Sequence, residues 1–111
     1  ESADLVAWLK KHVAEHDLIE PIGHNYMFDI GFIQQITGTK GYYKYFSRRY
    51  LDTMIIARFL SEVGIGFEGF SLSALCEYFS IENLGSHSAQ GDVQATEKLY
   101  IELLNLVGEQ R

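Results

Sequence analysis

The sequence predicts an α/β fold in which helices outnumber strands, and three observations carry that expectation. The run 18–23 is short, apolar and closed by Gly23, which suits a buried strand despite Pro21. On either side of it, apolar residues recur at helical spacing. The resulting order, helix–strand–helix and then further helices, is that of α/β architecture.

Residues 2–16 read as the first helix, with Ser2 able to cap it and Leu5, Trp8, Leu9 and Val13 on one face. After the strand, Asn25 to Thr37 reads as a second helix ended by Gly38. Residues 38–50 form a connection rich in basic and aromatic side chains. Asp52 or Thr53 caps a third helix reaching about Ser61, and the flexible stretch 64–69 follows. Ser71 caps a fourth helix reaching about Phe79; 80–88 is loop, and a final helix runs from about Ala89 to Val107. A second strand at Tyr50–Leu51 is the most that the remaining pattern allows. One or two strands do not make an independent sheet, so the apolar helix faces require a sheet that this sequence does not supply.

The 111 residues are expected to form a single domain, and the 47% apolar content is ample for a core. One cysteine excludes an internal disulfide framework and suits a reducing, cytoplasmic setting. No apolar run approaches the roughly 18 residues of a membrane span, and no signal peptide is evident. The chain begins Glu-Ser-Ala, directly inside a helical pattern, and is read as part of something longer. A net charge of −6 argues against a general nucleic-acid binder. Its distribution argues otherwise: no acid lies between Asp29 and Asp52, where Lys40, Lys44, Arg48 and Arg49 interleave with Tyr42, Tyr43, Tyr45, Phe46 and Tyr50. Such a segment suits a single strand, pairing phosphates with cations and bases with rings; the alternative is a core-covering loop whose lysines are solvated.

Two carboxylates are out of place. At 100° per residue, Asp29 falls inside the arc of Tyr26, Phe28, Ile30, Phe32, Ile33 and Ile36. Asp92 falls on the line of Ala95, Thr96, Leu99 and Leu103. An acid facing a core costs several kcal/mol unless it is compensated; a shared divalent metal would compensate both, and the alternative is that each caps a helix or pairs locally with a cation. His87 stands in the loop before Asp92, where an imidazole can approach a metal site and still exchange protons.

These stretches resemble a known family. "GHNYMFDIGFI" is similar to the second motif of the DEDD-type 3′–5′ exonucleases, and "HSAQGDVQAT" to the third motif of their histidine-bearing subgroup. "LDTMIIARFL" and "SLSALCEYFSIE" also read like that subgroup, which includes proofreading subunits of bacterial replicative polymerases. The resemblance covers essentially the whole chain and implies a partial ribonuclease H-like exonuclease fold.

It further implies hydrolysis of terminal phosphodiesters by two divalent ions, magnesium or manganese, acting on a single-stranded or frayed 3′ end of DNA or RNA. The aspartate matching Asp92 would ligate a metal, and the one matching Asp29 would support the metals largely through water. His87 would be the general base, while Asn25, His24 and Phe28 would line the site of the terminal nucleotide. The family's first motif, Asp-x-Glu, is absent from this sequence. The chain is therefore expected to be the C-terminal part of an exonuclease domain, incomplete by itself. A polymerase or another protein chain could complete it. The competing expectation is a non-catalytic nucleic-acid-binding or assembly module on the same scaffold.

Other signals are set aside. "HVAEH" matches a His-x-x-Glu-His zinc pattern, but His12 and His16 fall beside Trp8 and Leu9 on the first helix, where packing is the simpler expectation. Asp52 reads as a helix cap. Cys76 reads as a buried small hydrophobe.

Overall fold

The structure, a computed structural model, describes residues 2–83 and 88–109. The element order is α1 (Ser2–His12), β1 (Ile22–Gly23), α2 (Tyr26–Tyr45), β2 (Leu51–Asp52), α3 (Thr53–Glu62), α4 (Leu72–Tyr78) and α5 (Ala89–Glu109). The two strands are short, parallel and adjacent. This is the mostly helical, partial ribonuclease H-like α/β arrangement expected from the sequence.

The chain forms two compact units. The first comprises residues 1–21 and 26–51, the second residues 22–25 and 52–111. In the first, α1 packs on α2. α1 stops at His12, one turn earlier than the apolar spacing suggests, because the chain must turn to enter an extended run. The Asp17 amide donates to the Ala14 carbonyl there, and Ile19 then bridges in parallel to Phe46. His12 and His16 are consequently exposed rather than core residues, and the ring of His12 packs tilted against Trp8, with centroids 4.7 Å apart. Pro21 has no N–H, but its carbonyl accepts from Leu51.

α2 does not end at Gly38. That residue takes φ 74°, ψ 162°, a conformation open to glycine, and the helix resumes beyond it to Tyr45. Much of the expected basic-aromatic connection is therefore helical. Tyr42 and Tyr45 explain why: both are buried, with Tyr42 stacked on Phe46 and its hydroxyl bonded to that of Tyr26 at 2.9 Å. Burial pushes both Tyr26 and Tyr42 upward from the usual phenol range.

The arc around Asp29 behaves differently from expectation. Phe28 and Phe32 are 67% and 61% exposed, Ile36 is exposed too, and so is Asp29. Helical periodicity showed which face seeks burial; of that arc only Tyr26 is buried, and the other buried side chains of α2 are Tyr42 and Tyr45, beyond Gly38.

The second unit holds a continuous core of Ala57, Leu60, Leu75, Leu99 and Leu103, with Ile56, Phe67, Phe70 and Phe79 packed around it. α5 packs on α3, α4 and β1, and its expected stripe of Ala95, Thr96, Leu99 and Leu103 is buried. Ser71 caps α4, accepting from the Ala74 amide. Among the described residues, no helix is long and apolar enough to cross a membrane.

Candidate functional site

The second unit organises the Gly23-His24-Asn25 turn in detail. Asn25 adopts φ 59°, a left-handed conformation that asparagine tolerates better than most residues. Its amide donates to Asp52 Oδ1 at 2.8 Å, and the same oxygen accepts from the Met54 amide at 2.9 Å. Asp52 is thus the cap expected for α3 and also the clamp of the turn. It is 5% exposed, and the two N–H donors compensate its burial.

Thr53, fully buried, secures the other side. Its hydroxyl oxygen lies 3.2 Å from the Gly23 carbonyl oxygen and 2.8 Å from His24 Nδ1. His24 Nε2 lies 2.7 Å from the Phe70 carbonyl, which can only accept, so Nε2 carries a proton and donates. Thr53 has one hydroxyl proton. Turned toward Gly23, it leaves the hydroxyl accepting from a protonated Nδ1; turned toward the ring, it donates to the neutral imidazole. Either way both ring nitrogens of His24 are engaged within the protein, tying the turn to α3 and to the segment before α4. Sequence reasoning gave Asp52 and Thr53 only the local role of capping α3. The signal available was an acid beside a hydroxyl residue at a helix start.

Asn25 is exposed beside this framework, and Phe28, on the first turns of α2, contacts Phe32 with ring centroids 5.8 Å apart. Asp29 also lies in the first turn of α2, where the helix N-terminus favours a negative charge. Asp92 is half-buried in the first turn of α5. The hydroxyl of Ser88 accepts from the Gly91 amide at the start of that helix, and Thr96 donates to the Asp92 carbonyl at 2.7 Å. Burial pushes the Cys76 thiol up from its ordinary range, and the charge of Asp92 adds to it. Asn25, His24 and Asp92 belong to the second unit, Phe28 and Asp29 to the first. His87 lies outside the described residues.

Divalent ions require several oxygen ligands. Among the described residues, no group of three or more His, Cys, Asp or Glu side chains is placed to hold one. The described residues therefore do not fit a complete metal cage.

The family profile described as "Exonuclease" (RNase T) matches residues 10–100, spanning the Gly-His-Asn turn, Asp29, Asp52 and Asp92. Over 83 residues the chain is 29% identical to "3′-5′ exonuclease DinG" of Bacillus subtilis (strain 168), a match that covers 75% of this chain and 8% of DinG. No solved structure matches. With a family profile covering most of its length, the chain belongs to the RNase T exonuclease family.

Proposed function

We propose that this chain is the part of a cytoplasmic 3′–5′ exonuclease that carries its second and third motifs, of the histidine-bearing DEDD subgroup that includes polymerase proofreading subunits. Its substrate is the single-stranded or frayed 3′ end of DNA or RNA, and a polymerase or another protein chain is its partner. The observation that carries this reading is the family match across both motifs, joined to a Gly-His-Asn turn that Asp52 and Thr53 hold rigidly.

In this reading Asp92 and Asp29 are metal-site carboxylates, and His87 is the general base that takes a proton from the attacking water. Asn25 and Phe28 meet the terminal nucleotide, with His24 beside them holding the turn. Magnesium or manganese supplies charge stabilisation on the phosphodiester when bound. The 111-residue chain alone turns over little or nothing, because it lacks the Asp-x-Glu motif that the resemblance assigns to the principal metal ligands.

The test uses a 3′-labelled oligonucleotide and the longer protein that carries this chain. His87→Ala is expected to lose nearly all digestion while its circular dichroism is retained; near wild-type digestion rejects the assigned base. Robust digestion by the 111-residue chain in manganese would show that it is complete as it stands.

A further inference from the structure

The half of α2 beyond Gly38 carries a surface that the motif residues do not use. Lys40, Tyr43 and Lys44 stand at i, i+3 and i+4, so they are neighbours on one helix face. Arg48 folds back over the same face, its guanidinium carbon 4.1 Å from the Tyr43 ring centroid. Lys44 Nζ sits 5.5 Å from the Tyr45 centroid. Lys40, Lys44 and Arg48 are exposed and Tyr43 is half-buried.

Beneath them is a rigid base. Tyr42, 1% exposed, meets the Tyr43 ring edge-on at 5.0 Å and stacks on Phe46 at 4.7 Å. With no acid between Asp29 and Asp52, the stripe is locally cationic in a chain of net charge −6. Arg49 is not part of it. That residue lines a separate, open depression shared with the acidic side chains Asp17 and Glu20.

We infer that the stripe Lys40–Tyr43–Lys44–Arg48 is a contact surface for single-stranded nucleic acid, a deepening that rests on the exonuclease reading. The two lysines and Arg48 meet successive phosphates, as point charges on a polyanion. The Arg48 guanidinium over Tyr43 and the Tyr43 ring itself are planar groups on which an unstacked base can stack. A duplex keeps its bases stacked inward and cannot use that platform, so single strands are preferred. The surface grips the strand without contributing to the chemistry.

The test is binding without cleavage. The 111-residue chain is titrated in EDTA against a fluorescein-labelled oligothymidylate of about 20 nucleotides, read by anisotropy across 50 to 200 mM salt. The triple variant Lys40→Ala/Lys44→Ala/Arg48→Ala is expected to weaken binding more than about tenfold at the lowest salt. It should also flatten the logarithmic salt slope by about 2, from about 0.7 per lost phosphate contact. Tyr43→Leu is expected to weaken binding about tenfold with the slope unchanged. Arg48→Lys keeps the charge and the slope but narrows the preference for single strand over duplex.

Circular dichroism checks that each variant is folded, and the exposed Arg48→Lys keeps the test open should Tyr43→Leu unfold. No binding by the wild-type chain, variants that bind like the wild type, or equal affinity for duplex overturn the inference. So does binding to phosphatidylserine vesicles in place of the oligonucleotide. The two readings separate cleanly. Stripe variants that bind normally beside an inactive His87→Ala sink the stripe alone; stripe variants that lose binding beside an active His87→Ala sink the assigned base alone.

Discussion

The two compact units solve the same packing problem to different degrees. Each contains a helix with an aspartate set among apolar residues. In the second unit the stripe of α5 meets α3 and α4, and Leu99 and Leu103 are 0% and 1% exposed. In the first unit, α2 buries three tyrosines and leaves Phe28, Phe32 and Ile36 in the open. The difference teaches that an apolar pattern states a requirement for a partner. Whether the described residues supply that partner is a separate fact.

The comparison can be broken most forcefully by cavity formation. Leu99→Ala removes a fully buried side chain from the second unit and is expected to lower stability by about 2–5 kcal/mol in urea unfolding. Phe32→Ala deletes a larger side chain, yet it should stay within about 0.5 kcal/mol of the wild type, because that ring is already solvated. Equal costs would mean that the arc of α2 is covered in solution.

A smaller loss is expected where the second unit holds its turn. Asp52→Ala removes the α3 cap and leaves the Asn25 amide without its acceptor, a cost of about 1–3 kcal/mol. Asp52→Asn should recover part of it, since an amide oxygen can accept from both donors. No difference between the two variants would remove Asp52 from its clamping role.

The smallest effect is a titration. Burial raises the Cys76 thiol above its ordinary value of 9.0, so the folded state prefers the protonated form. The resulting stability is fully present below pH 9.0 and is lost as pH rises through the folded value, because there the unfolded chain holds fewer protons. Alkylation at pH 8 should therefore be slow in the folded protein and accelerate in urea. Rapid alkylation without denaturant would show that the second core is looser than its packing indicates.

Much of this was legible from residues alone. Ser71 and Asp52 announce α4 and α3 as side chains that accept from the first free amides of a helix. The stripe of α5 is equally direct, because spacing at 3.6 residues is a property of the chain itself. The segment 38–50 was harder to read, since Gly38 looks like a terminator and instead bends a helix that continues. The N-terminal helix was overextended for a related reason: where it stops depends on the pairing of Ile19 with Phe46, which no local pattern records. In the candidate site, the motif residues could be named, but the second role of Asp52 and the two partners of His24 could not. Those contacts join residues 27 to 46 positions apart.

By itself, then, the sequence determined the helices, their caps, the faces that seek burial and the motif residues, because each follows from short-range geometry and side-chain chemistry. Tertiary structure alone decided which of those faces were covered, where α1 ended, and how the Gly-His-Asn turn was locked. The physical reason is that burial and long-range hydrogen bonds depend on which distant groups arrive, and a local pattern specifies the need without the partner.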